Sequence, residues 1–133
     1  MKLIVCLDDK NGMAFNRRRQ SADRVVTEEI RTLCGPAPLW TDAYTAKLFA
    51  DAPPADLRVS EDPLHQAGAG EYCFLETAPV TDGAGAEEIV VFRWNRVYPR
   101  DRVFDLDLSR RTCTQTREFP GHSHERITME VYE

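Results

Sequence analysis

Lys2 to Leu7 (KLIVCL) constrains the chain more than any other stretch. Five of its six residues are apolar with no polar alternation, which suits a strand buried on both faces, the habit of a central strand in a parallel sheet. A parallel sheet needs crossovers, and the next residues supply one. Asp8, Asp9, Asn11 and Gly12 break the strand, because their side chains favour turns. Ser21 reads as a helix N-cap with Asp23 in the first turn, where the helix dipole favours negative charge. Val25, Val26, Ile30 and Leu33 make one apolar stripe, and Gly35 followed by Pro36 ends the helix. Ligands in open α/β sheets sit beyond the carboxyl ends of the strands, so the loop between Asp8 and Asp23 is the first place to look for function.

The remainder reads as more of the same, then changes. Ala37 to Trp40 is a short strand; Thr41 or Asp42 caps a second helix that Pro53 and Pro54 stop. Asp56 to Ser60 is a third strand, Asp62 to Ala67 a single turn opened by proline, and Glu71 to Glu76 a fourth strand. Thr77 to Glu87, rich in small residues, reads as a flexible loop. Beyond it come strands at Ile89 to Trp94, Thr112 to Glu118 and Glu125 to Glu133, with turns at Pro99 and Pro120–Gly121. In the last strand Ile127, Met129 and Val131 alternate, which predicts one face on the core and one in water. The expected fold is a single α/β domain over residues 1–133: a three-layer sandwich around a mixed, mainly parallel sheet, with an antiparallel C-terminal hairpin.

Composition excludes several classes. No stretch approaches the roughly 20 apolar residues of a membrane span, and MKLIVCLDD lacks the pattern of a signal peptide, so the expected location is cytoplasmic. Cys6, Cys34, Cys73 and Cys113 show no CxxC spacing and are expected as small buried hydrophobes. A net charge of -5 argues against broad nucleic-acid binding. The positive charge is mostly arginine, with one cluster at Arg17, Arg18 and Arg19. These could bind a phosphate or carboxylate, or simply pair with Asp8, Asp9 and Asp23.

The order of elements and several short matches resemble a shortened dihydrofolate reductase. LIVCLDDKNGMAFN resembles that family's first strand and mobile active-site loop, and SADRVVTEEI its first helix. VYPRDRVFDLDL resembles its acidic-aromatic segment, ahead of a closing β-hairpin. The resemblance implies a cleft in which Asp23 stands where the reductases keep their substrate-binding carboxylate. It also implies what is missing. Thr41 and Asp42 stand where a glycine and an arginine would hold cofactor phosphates, and Glu76, Thr77 and Ala78 follow the fourth strand where a Gly-Gly turn would lie against the dinucleotide. An aspartate facing a phosphate is repulsive. No cofactor is therefore expected, and NADPH-dependent reduction is set aside.

The candidate ligand-binding residues are Asp8, Asp23, Arg17, Arg18, Arg19, Trp40 and Tyr44. Asp23 could accept two hydrogen bonds from a pterin-like group or only complement the helix dipole. Trp40 and Tyr44 could form an aromatic wall or belong to the core. No metal is expected; the sole candidates, His122 and His124, lie in an HxHE stretch that superficially resembles the HxHxDH of metallo-β-lactamase-type hydrolases, including a tRNA-maturing ribonuclease. Its Asp-His half is absent, and a surface hairpin tip is the expected reading. No serine sits in a G-x-S-x-G elbow, so no nucleophilic triad is read and no catalytic residue is assigned. The expected function is a non-catalytic small-molecule-binding or regulatory module for a small anionic or pterin-like ligand. The alternatives are a small enzyme, either a relic pterin reductase or a metal-assisted hydrolase, and a homodimer or protein-interaction module built on an edge strand.

Overall fold

The computed structural model describes all 133 residues. In chain order the elements are β1 (Lys2–Leu7), β2 (Gly12–Phe15), β3 (Arg18–Arg19), α1 (Arg24–Cys34), β4 (Leu39–Thr41), α2 (Ala43–Ala46), β5 (Leu57–Val59), α3 (Pro63–Gln66), β6 (Tyr72–Phe74), β7 (Glu88–Arg93), β8 (Arg102–Val103), β9 (Cys113–Phe119) and β10 (Ile127–Tyr132). Seven strands form one sheet in the order β5-β4-β6-β1-β7-β10-β9. The first five run parallel, and β10 and β9 add antiparallel at one edge.

β1 sits at the centre, buried on both faces as its unbroken apolar run predicts. Ile4 joins Phe74, Val90, Phe92 and Met129 under α1, whose buried face is Val26, Ile30 and Cys34. Leu3, Val5 and Leu7 face the other way, against Met13, Val80, Val91 and Phe104. The sheet is thus covered on both sides. No helix is long and apolar enough to cross a membrane.

Several local expectations need correction. The N-cap of α1 is Asp23, not Ser21: the Asp23 carboxylate accepts from the Val25 N–H. Of the two caps considered for α2, Asp42 serves, accepting from the Thr45 N–H. That helix lasts one turn, then tightens to a 3-10 turn at Lys47–Phe49, well short of Pro53. The stretch from Gly12 to Arg19 is not a plain loop: it forms β2 and β3, which join β8 in a second, three-stranded sheet, β3-β2-β8. Thr77 to Glu87 contains a 3-10 turn, Thr81–Gly85, seated on the core: Val80 is buried, and a Cβ on Gly83 would stand 3.1 Å from Leu3. The outer face of β10 is not in water either, because Thr128 is buried and Glu130 pairs with Arg93. Cys34 and Cys73 are buried, and burial pushes both thiols up to about 12, but Cys113 is exposed on the edge strand β9.

Candidate functional site

Three carboxylates are buried at the carboxyl ends of the central strands: Asp8 after β1, Asp23 at the start of α1 and Glu76 after β6. A buried charge is stable only when paired and hydrogen-bonded, and each of the three has found different partners.

Asp23 is closed in by the turn between β9 and β10. One oxygen accepts from the backbone N–H of Val25 and of His122, both at 2.9 Å. The other accepts from the Ser123 N–H and faces His124 Nδ1, both again at 2.9 Å, with the Ser123 hydroxyl at 3.1 Å. The carboxylate is fully out of solvent and the imidazole is 2% exposed. Burial alone would raise the acid's pKa, but the bonds from His122, His124, Ser123 and Val25 outweigh it and hold Asp23 far below the ordinary 3.8. Gly121 permits this closure, since a Cβ there would stand 2.6 Å from Asp23 Oδ2.

The imidazole of His124 stacks on Trp94, centroids 4.7 Å apart at 24°. Its Nε2 lies 3.1 Å from Ser21 Oγ and 3.0 Å from the Tyr98 hydroxyl, which itself is 3.4 Å from Ser21 Oγ. The HxHE stretch is therefore not a surface tip throughout. His122 is exposed, whereas His124 is buried with both ring nitrogens engaged by protein groups. No group of three metal-ligating side chains exists in the chain.

Glu76 takes a bidentate pair from Arg19 (Nε to Oε2 2.8 Å, the second nitrogen to Oε1 3.0 Å) and the Thr45 hydroxyl at 2.8 Å. The Arg19 guanidinium lies 4.2 Å from the centre of the Tyr44 ring. Asp8 accepts from the N–H groups of Lys10, Gly12 and Tyr98 and from Gln20 Nε2. Against the upward push of burial, these donors hold it below the usual carboxylate range.

Of the candidates from the sequence, Asp8, Asp23, Arg19 and Tyr44 meet at this end of the sheet. The arginines do not pair with Asp8, Asp9 or Asp23: Arg19 takes Glu76, while Arg17 and Arg18 stay exposed on the β2–β3 hairpin. Trp40 does not share a wall with Tyr44; its indole donates to Glu71 and lies under Arg58. Beside the hairpin is a cleft of about 330 Å³ lined by Arg18, Arg19, Gln20 and Tyr98, among others. The buried Gln20 Oε1 has no partner.

Sequence reasoning missed Ser21, Gln20, Glu76, Tyr98, Trp94 and the buried role of His124. It also read no triad, and Ser21, His124 and Asp23 nonetheless stand in line. Only a bridge of some 100 residues brings them together.

Depressed acids make an acid-labile fold. Asp23 and Asp8 bind protons less readily folded than unfolded, so the stability they contribute is complete above the unfolded value near 3.8 and falls as pH drops below it towards their folded values. Urea unfolding should show a stability plateau above about pH 5 and a steep loss below about pH 4; an unchanged midpoint at pH 3 would contradict this.

No family model matches the sequence, and no curated protein matches it. Among solved structures, a dihydrofolate reductase from Enterococcus faecalis, complexed with NADP(H) and RAB-propyl, superposes with a TM-score of 0.67 over 99% of this chain and 94% of that one, at 9% identity. A likeness at that identity speaks for architecture alone, and the architecture of this chain is dihydrofolate-reductase-like.

Proposed function

We propose that this domain keeps the reductase frame without the reductase chemistry, and serves as a small-molecule-binding or regulatory module that does not use NADPH. One observation carries the reading: Asp23 is already saturated. A carboxylate offers about four lone-pair sites, and this one meets three backbone N–H groups, a serine hydroxyl and an imidazole. The cavity beside it, lined by Cys6, Ser21, Val26, Phe74 and Trp94, holds about 10 Å³. That is at most one water, where a ligand pocket takes roughly 300 Å³ or more.

The groups at the implied dinucleotide position do not fit that cofactor either. Thr41 is buried and donates to the Phe74 carbonyl, and Asp42 is spent capping a one-turn helix. After β6 the chain enters a 3-10 turn, so no α-helix N-terminus faces that place. The open cleft beside Arg18 and Tyr98 supports a small anionic ligand instead. The free, buried Cys34 and Cys73 suit a reducing compartment and hence the cytoplasm.

Thermal unfolding with saturating NADPH and a folate analogue tests this. The midpoint should stay within about a degree, whereas binding at 100 times Kd would add about 2.7 kcal/mol and raise it by several degrees. Such a rise would overturn the reading. A second reading, a small enzyme with its own chemistry at this site, is favoured by the Asp23–His124–Ser21 line.

A further inference from the structure

We propose that Ser21, His124 and Asp23 act as nucleophile, base and orienting acid, and that Ser21 hydrolyses small carboxylic esters whose anionic end is held beside it in the cleft of Arg18 and Tyr98. The inference deepens the second reading above, and rests on the site being free of nicotinamide and pterin.

The geometry has the three parts such a device needs. The orienting acid is wholly enclosed and 2.9 Å from Nδ1. The imidazole is enclosed too, and the Trp94 stack fixes its plane so that Nε2 points to Ser21 Oγ at 3.1 Å. Ser21 is only half-buried, the least enclosed residue of the three. Ser21 also lies just before an 11-residue helix, and the backbone N–H groups of Ser21 and Ala22 donate to no backbone acceptor. Free N–H groups at the nucleophile are the usual stabilisers of a tetrahedral oxyanion. Tyr98 links the line to the cleft: the residue lines the cleft, and its hydroxyl reaches both Ser21 and His124. Arg18, exposed and in no ion pair, lies on the same cleft wall and supplies a fork for a carboxylate or phosphate.

In the reaction Ser21 Oγ bonds to the ester carbonyl carbon while its proton passes to His124 Nε2. Collapse of the tetrahedral intermediate breaks the bond to the alcohol, which leaves with that proton. Water then attacks the acyl-serine, His124 again takes and returns a proton, and a carboxylic acid departs with Ser21 restored. Ester and water give acid and alcohol, with no other reagent.

A fluorophosphonate probe tests the nucleophile directly, since a serine activated in this way displaces its fluoride. Intact mass and peptide mapping should find one adduct, on Ser21. Labelling should vanish at that site in Ser21→Ala and slow at least tenfold in His124→Gln, with cooperative thermal unfolding of each variant showing that it is folded. Mono(4-nitrophenyl) succinate should be hydrolysed by the wild type, and Ser21→Ala should lose at least 100-fold of that rate. Arg18→Ala should raise KM for the succinate ester more than for the uncharged 4-nitrophenyl acetate. A folded wild type that stays unlabelled, or an adduct on Ser123 instead, overturns the proposal. The probe resembles neither NADPH nor folate, so its failure leaves the loss of reductase chemistry standing. A thermal shift with NADPH does the reverse.

Discussion

Replacing Asp23 with alanine lowers the unfolding free energy by about 3–5 kcal/mol, the usual result of removing one partner of a buried charged network. The substitution strands the N–H groups of Val25, His122 and Ser123 and leaves His124 Nδ1 with only the Ser123 hydroxyl, 3.2 Å away. Each polar group left buried without a partner costs about 1–3 kcal/mol, offset where water can enter from the exposed side of His122 and Ser123. Against a total stability of about 5–15 kcal/mol for a domain of ordinary size, this is among the largest single effects available in the chain. Asp23→Asn, which keeps one acceptor oxygen, falls between wild type and Asp23→Ala. Urea denaturation at pH 7 followed by circular dichroism measures the series, and a loss below about 1 kcal/mol for the alanine variant would mean that water replaces the carboxylate fully.

Arg19→Met is the second large effect, at about 3 kcal/mol or more, because it removes the cation from a buried ion pair and leaves the Glu76 carboxyl with the Thr45 hydroxyl as its remaining side-chain partner. The informative comparison is the double variant Arg19→Met/Glu76→Leu. A buried pair replaced by apolar groups of similar volume is often neutral, so the double variant should recover most of the loss. The coupling, read from four unfolding curves, should exceed about 1 kcal/mol. Arg19→Lys should not restore the wild-type value, since a lysine neither spans both Glu76 oxygens nor stacks as a plane on Tyr44. Additive single effects would show that the two groups do not depend on each other.

What the chain discloses locally, it discloses well. β1 was legible because six residues carry almost no polarity, α1 because its stripe repeats at helical spacing, and β10 because Ile127, Met129 and Val131 alternate. Local chemistry misled where two answers satisfy it equally. Ser21 and Asp23 are both good caps, and the choice between them is made by donors from residues 122 to 124. The β2–β3 hairpin turns on Asn16 and Arg17, with φ of 53° and 61°, rather than on the Asn-Gly pair that would have announced it. His124 follows a Pro-Gly turn and so looked exposed; nothing near it in sequence reveals Trp94 beneath it. The candidate site was thus half visible. Asp8, Asp23 and the arginines could be named, but not Glu76, nor who faces whom.

The hairpin that closes over Asp23 also sets when the site can exist. β10 pairs with β7, and the turn ahead of it supplies His122, Ser123 and His124, so no shorter chain ending before His122 can hold Asp23 as the folded protein does. During synthesis the first strand and helix emerge with that carboxylate open to water, about 100 residues before its partners. Contacts of such sequence separation form late and make folding slow. Any activity of Ser21 is accordingly withheld until the last strand docks, and a nascent or clipped chain carries the residues of the site without the site.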